Sequence, residues 1–214
     1  MYRKFFWLIS FFLMNVSFIR AQQMEARDVI KKTQDKYKKI KSLIISFDYH
    51  FKWKLTAKNQ SLQGKLYFKK ENNIRYELGP QLNITDGTTV WQYSEANNQV
   101  VVDNLKKNSK SLFMPKYFLF EYLDKFVAEV INTETVNNRV VYVLKMNPRD
   151  KDDFVQSMKV WIPQDSWLTE KVEYVDLEGN TVSYEFTHIE MDAFIDAKLF
   201  SFKAESGVDV IDLR

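Results

Sequence analysis

In the stretch LIISFDYHFKWKLT, Leu43 to Thr56, the odd positions are apolar without a gap and the even positions after Ile44 are polar. Leu43, Ile45, Phe47, Tyr49, Phe51, Trp53 and Leu55 are apolar; Ser46, Asp48, His50, Lys52, Lys54 and Thr56 are polar. Successive side chains of a strand point to opposite faces, so this spacing predicts one long β-strand with an apolar face and a wet face. It exceeds the usual strand of about 5–6 residues, and a strand of that reach suits a large, curved antiparallel sheet. The apolar face is mostly aromatic. What covers it is the functional question.

The flanking sequence supplies the rest of such a sheet. Met24 to Lys41 predicts an amphipathic helix, with Ala26, Val29, Ile30, Thr33, Tyr37 and Ile40 at spacings of three and four. Strand patterns follow at Leu62–Lys69, Ile74–Leu78, Leu82–Thr85, Thr88–Ser94 and Val100–Leu105, punctuated by Gly79-Pro80, Asp86-Gly87 and Asn97-Asn98. From Ser111 the run SLFMPKYFLFEYLDKFVAEV places Leu112, Phe113, Met114, Phe118, Leu119, Tyr122, Leu123 and Phe126 at helical spacing, with Pro115 suited to a first turn. Strands resume at Thr133–Met146 around Asn137-Asn138, then at Phe154–Ile162, Leu168–Val175 and Thr181–Ile189. A short tail follows. The fold class predicted is α+β, with helices gathered on one face of an antiparallel sheet.

At 214 residues the chain suits a single domain with ample core and, lacking cysteine, no disulfide or thiol chemistry. Arg3 and Lys4 precede a predominantly apolar run, Phe5 to Ile19, shorter than the roughly 20 residues of a membrane span. Together with Ile19-Arg20-Ala21 this predicts a cleaved secretion signal over residues 1–21. The signal holds Arg3, Lys4 and Arg20, three of the 31 basic residues, and none of the 28 acids. The remaining chain is charge-neutral, which gives no footing for nucleic acid.

Signatures of chemistry are missing. There is no G-x-S-x-G, P-loop, G-x-G-x-x-G or H-E-x-x-H. His50 lies on the wet face of the long strand; His188 shares a face with Val182, Tyr184 and Phe186 by parity. Asp150, Asp152 and Asp153 read as a solvated turn. No metal, cofactor or enzyme activity is expected. The aromatic face is then either a core packed by two helices or the wall of an apolar cavity that sheet and helices leave open. Periodicity serves both.

The order of motifs carries a resemblance. QGKLYFKKENNIRYEL (Gln63–Leu78), ITDGTTVWQY (Ile84–Tyr93), LFMPKYF (Leu112–Phe118) and AKLFSFKAESGVDVIDL (Ala197–Leu213) together resemble the LolA family, periplasmic carriers of outer-membrane lipoproteins. The resemblance spans nearly all of residues 22–214, taken as a single carrier domain, and implies an open half-barrel whose concave apolar face is lidded by helices. It also implies acyl chains of lipidated proteins as cargo, an inner-membrane ABC transporter that loads them, an outer-membrane lipoprotein receptor that accepts them, and a monomeric carrier in the periplasm. The alternative is a periplasmic binding or sensing module on the same fold for another lipid.

The lipid-binding lining implied is Phe47, Tyr49 and Phe51 from the long strand and Leu66 and Phe68 from the next. Ile74 and Tyr76 stand where the family has a Phe-x-Trp pair at the mouth. Trp91 and, from the lid, Phe113, Met114 and Phe118 complete it. Lys70 occupies the position of a family arginine that latches the lid, and Arg75 is the substitute latch. On this assignment a charge at Ile74 should spoil cargo handling and spare the fold, whereas Trp53→Asp should cost the fold.

Overall fold

The computed structural model describes residues 24–105 and 125–214; the predicted signal and the predicted lid with Phe113, Met114 and Phe118 lie outside the described residues. A helix, α1 (Ala26–Lys39), leads into β1 (Ser42–Lys52), β2 (Asn59–Lys69), β3 (Asn73–Leu78), β4 (Gln81–Asp86), β5 (Thr89–Ser94) and β6 (Gln99–Asn104). After the undescribed stretch come β7 (Phe126–Val136), β8 (Arg139–Pro148), β9 (Val155–Pro163), β10 (Lys171–Asp176), β11 (Thr181–Met191) and β12 (Asp209–Asp212). They form one sheet in the order β12-β6-β5-β4-β3-β2-β1-β11-β10-β9-β8-β7, which does not close on itself. All neighbours run antiparallel except β12 beside β6.

The long strand sits at the middle of the sheet, between β2 and β11. Its inner face carries Leu43, Ile45 and Phe47, each at most 1% exposed. One continuous cluster joins these to Leu66, Ile74 and Tyr76 on one side and to Leu144, Met158, Val160 and Val172 on the other. A single core touching strands so far apart in the sheet order requires the sheet to curve around it. Helix α1 fills the hollow, burying Val29, Thr33 and Tyr37. The Tyr37 hydroxyl accepts from the Thr169 amide at 3.0 Å. Lys32 lies over the Trp167 ring, 4.4 Å from its centroid.

A second, smaller core lies on the outer face. The pairing of β3 to β6 puts Ile84, Trp91 and Val102 opposite one another, and Tyr93 opposite Val100. The chain after β11 runs across this patch, where Ile195 and Phe200 are buried and Phe202 meets Tyr93 at 5.2 Å between ring centroids. A 3₁₀ turn, Ala197–Phe200, is capped by Asp196, whose side chain accepts from the Lys198 amide. β12 then adds to the β6 edge, a strand that the reading of the tail did not foresee.

Four expectations change. The apolar alternation runs past the strand: β1 ends at Lys52, paired with Asn59, because the hairpin must reverse between them. Trp53 donates its amide to the Lys58 carbonyl across that turn and is 37% exposed, and Leu55 is 96% exposed. Phe126 does not continue a helix but opens β7, opposite Pro148, and is buried. His188 leaves the inner face, since a bulge inserts Thr187 between the pairs Phe47–Phe186 and Ser46–His188. The bulge restores inward parity at Ile189, and His188 is exposed. Finally, Ile74 is 1% exposed and packed in the core, so it stands at no mouth.

Packing around Phe47 fixes the centre. Its ring is stacked on Tyr76, with centroids 5.8 Å apart and planes 7° apart, and meets Tyr184 at 5.5 Å. The ring fills the space over Gly64, its partner on β2; a Cβ there would collide with Phe47 and lie 2.6 Å from the Glu77 carbonyl oxygen. Gly64→Val therefore overpacks against backbone as well as ring, and we expect a loss of at least about 1–3 kcal/mol in denaturant unfolding. The Ile74 and Trp53 outcomes also exchange places. Ile74→Asp buries an unpaired carboxylate and should cost about 3–5 kcal/mol, while Trp53→Asp should cost under about 1 kcal/mol, both read by the same unfolding measurement.

Candidate ligand cavity

Next to Phe47 the inner face opens into a cavity of about 420 Å³. Its wall is built from strands that pair in register. Tyr49 of β1 faces Tyr184 of β11, which faces Val172 of β10, while Tyr174 lies two residues on. Tyr76 and Leu78 come from β3, and Gln81 and Asn83 from β4. Four phenols thus converge. Tyr49 and Tyr184 meet edge to face at 5.2 Å, Phe154 stands edge-on to Tyr174 at 6.2 Å, and Tyr76 and Tyr184 share a hydrogen bond.

The remaining wall is the β10–β11 turn, with Asp176, Leu177 and Glu178. Both Asp176 carboxylate oxygens serve the turn: Oδ1 accepts from the Glu178 and Asn180 amides at 3.0 and 2.8 Å, and Oδ2 accepts from Asn180 Nδ2 at 3.0 Å. Asn180 Oδ1 accepts in turn from the Lys54 amide. Gly179, at φ +81°, lets the turn come against the Lys54 side chain. The hairpin loop holding Trp53 is thereby tied to the cavity's turn.

Burial raises all four phenol pKa values. Tyr49 is pushed up to about 12 by burial and by the Asp176 charge; Tyr76, Tyr174 and Tyr184 are raised further, burial leading. The cavity is therefore lined by neutral O–H groups, amides and apolar carbon, with the Asp176 and Glu178 carboxylates at the turn.

Of the expected lining, Tyr49 and Tyr76 reach the cavity. Phe47, Leu66, Phe68 and Ile74 lie behind it in closed core, and Phe51 packs edge-on against Trp53 at 4.6 Å. Trp91 belongs to the outer face: its neighbour Val90, 1% exposed, takes the inward position. Arg75 is also on the outer face, paired with Glu77 at 2.5 Å. Lys70 does reach a helix: its ammonium donates to the Lys38 carbonyl at 3.3 Å, in the last turn of α1 where a cation is favoured. Tyr174, Tyr184, Leu78, Phe154, Gln81 and Asn83 were not among the expected lining. They are unremarkable strand and loop residues until register brings them together.

Among the described residues no group of three or more His, Asp or Glu side chains is placed to hold a metal, and no helix is long and apolar enough to cross a membrane. An open sheet holding a cavity on its inner face defines a binding or carrier scaffold. The chain belongs to the family of the outer membrane lipoprotein carrier protein LolA, whose model matches residues 38–203. It is a carrier family and not a family of enzymes. An outer-membrane lipoprotein carrier protein of Francisella tularensis is 24% identical over 95% of this chain and 94% of its own length. An uncharacterized protein of Methanocaldococcus jannaschii is 27% identical over 97% of this chain, which spans 60% of that relative's length. The crystal structure of an uncharacterized conserved protein from Thermus thermophilus has the same fold, with a TM-score of 0.58, 10% identity, and coverage of 87% of this chain and 98% of that one.

Alkaline titration should report the phenols. Below the ordinary tyrosine pKa of about 10 they are neutral both folded and unfolded. Above it the unfolded chain ionises first, so stability falls as pH rises from about 10 towards 12. Tyr37, also pushed up to about 12 by burial, adds to the loss. Phenolate absorbance should rise in two steps, the second coinciding with loss of the circular-dichroism signal of the sheet.

Proposed function

We propose that the protein is a periplasmic carrier that takes up the acyl chains of lipoproteins released from the inner membrane and delivers them to the outer membrane. The reading is supported above all by the cavity on the inner face of an unclosed sheet in a chain of this family. Residues 1–21 serve as the cleaved export signal, an inner-membrane ABC transporter loads the carrier, and an outer-membrane receptor unloads it. The carrier works as a monomer, without cofactor, and binds no nucleic acid.

Energetics favour a loose hold. Each buried methylene is worth about 0.8 kcal/mol, so three long chains fully buried would exceed about 30 kcal/mol. Non-covalent affinities stop near 18–21 kcal/mol or so, and a carrier must also let go. A cavity of about 420 Å³ sits in the lower part of the roughly 300–1,000 Å³ range of ligand pockets. It suits part of a lipid anchor, with the rest held less tightly. The sequence has no nucleotide-binding loop, so loading draws its energy from the partner.

The test is to add the purified protein, freed of residues 1–21, to spheroplasts carrying a radiolabelled lipoprotein. Release of label into a soluble one-to-one complex is the expected result. No release, with folded protein and competent cargo, would replace this reading with a binding module for another lipid.

A further inference from the structure

The cavity is more polar than an acyl-chain groove requires. Four phenols and the amides of Gln81 and Asn83 line it, beside Leu78, Phe154 and Leu177. A saturated chain gains nothing from a hydroxyl, and water removed from each of them must be replaced by another hydrogen-bond partner. We propose that this is a subsite for the ester carbonyls where acyl chains join a glycerol, with the hydroxyls of Tyr49 and Tyr76 as the principal donors. The proposal rests on the carrier reading and deepens it by naming the part of the lipid that the cavity recognises.

Charge narrows the choice of ligand. Asp176 and Glu178 stand in the wall, and the Asp176 charge is felt at both Tyr49 and Tyr174. A fatty-acid carboxylate or a phosphate would meet that charge at close range without a facing cation among the described lining residues. An ammonium would need the carboxylates, yet Asp176 is spent on three hydrogen bonds within its turn and Glu178 accepts from Asn180 Nδ2 at 3.2 Å. A neutral acceptor with apolar flanks fits what is left. The phenols remain protonated throughout the physiological range, as a donor to a carbonyl must. A hydroxyl both donates and accepts, so the Tyr76–Tyr184 bond can persist while Tyr76 turns its own proton to a ligand.

The experiment compares two small lipids with identical chains, dioctanoyl glycerol and its dioctyl ether, which lacks both carbonyls. Affinity for the purified full-length protein is measured by calorimetry. The ester should bind roughly tenfold more tightly than the ether, the effect of about two net hydrogen bonds. A Tyr49→Phe/Tyr76→Phe variant should lose that preference and bind both lipids as the wild type binds the ether. Equal wild-type affinity for ester and ether, or a preference that survives both substitutions, would overturn the subsite while leaving the carrier reading intact. Failure of the folded protein to bind either lipid would overturn the carrier reading and the subsite with it.

Discussion

A phenyl ring occupies a place where a side chain is missing. Phe47, on the middle strand of the sheet, lies over Gly64, and no larger residue fits beneath it. This contact fixes more than two residues. With the ring seated, Tyr76 stacks on one side and Tyr184 and Phe186 close the other, so β3 and β11 are both registered against β1. A slip of one residue at this point would turn every inward side chain of a strand outward. The cavity begins where this cluster ends, and its phenols are held by the same rings that make the core.

The sheet uses its two faces differently along its length. From β1 towards β7 the apolar side chains gather on the inner face around α1. From β4 to β6 the inner face turns to Gln81, Asn83, Thr85 and Gln92, while Ile84, Trp91 and Val102 accumulate outside beneath the C-terminal segment. The crossover gives the hollow a polar flank and an apolar one. The bulge at Thr187 works in the same direction, sending His188 to solvent while keeping Ile189 inward.

Much of this was legible in the sequence. Alternation over Leu43–Lys52, broken only at Ile44, marked the central strand and its inner face, and Asn137-Asn138 marked a hairpin whose two residues both take positive φ. Three kinds of information were not local. The strand's end depended on where β2 began, which apolar Trp53 and Leu55 concealed. The face of Trp91 depended on whether Val90 or Trp91 pointed inward, and both are apolar. The cavity depended on β10 and β11 returning to lie beside β1, which brings Tyr174 and Tyr184 next to residues far earlier in the chain. A phenol in an alternating strand looks like core until its neighbours across the sheet are known.

The pairing of β12 with β6 has a consequence for how the molecule is made. β7 to β11 separate β6 from β12 in the chain, yet the outer backbone groups of β6 are satisfied by residues 209–212. Asp209 donates its amide to Asn98, whose side chain reaches Gly207. Until residues 209–212 have been made, that flank of the sheet is an unfinished edge with unpaired donors and acceptors. The outer patch at Ile84, Trp91 and Tyr93 likewise waits for the segment holding Ile195, Phe200 and Phe202. Completion of this edge is thus timed by the arrival of residues 209–212, and a chain lacking them would be left with a surface prone to join its neighbours.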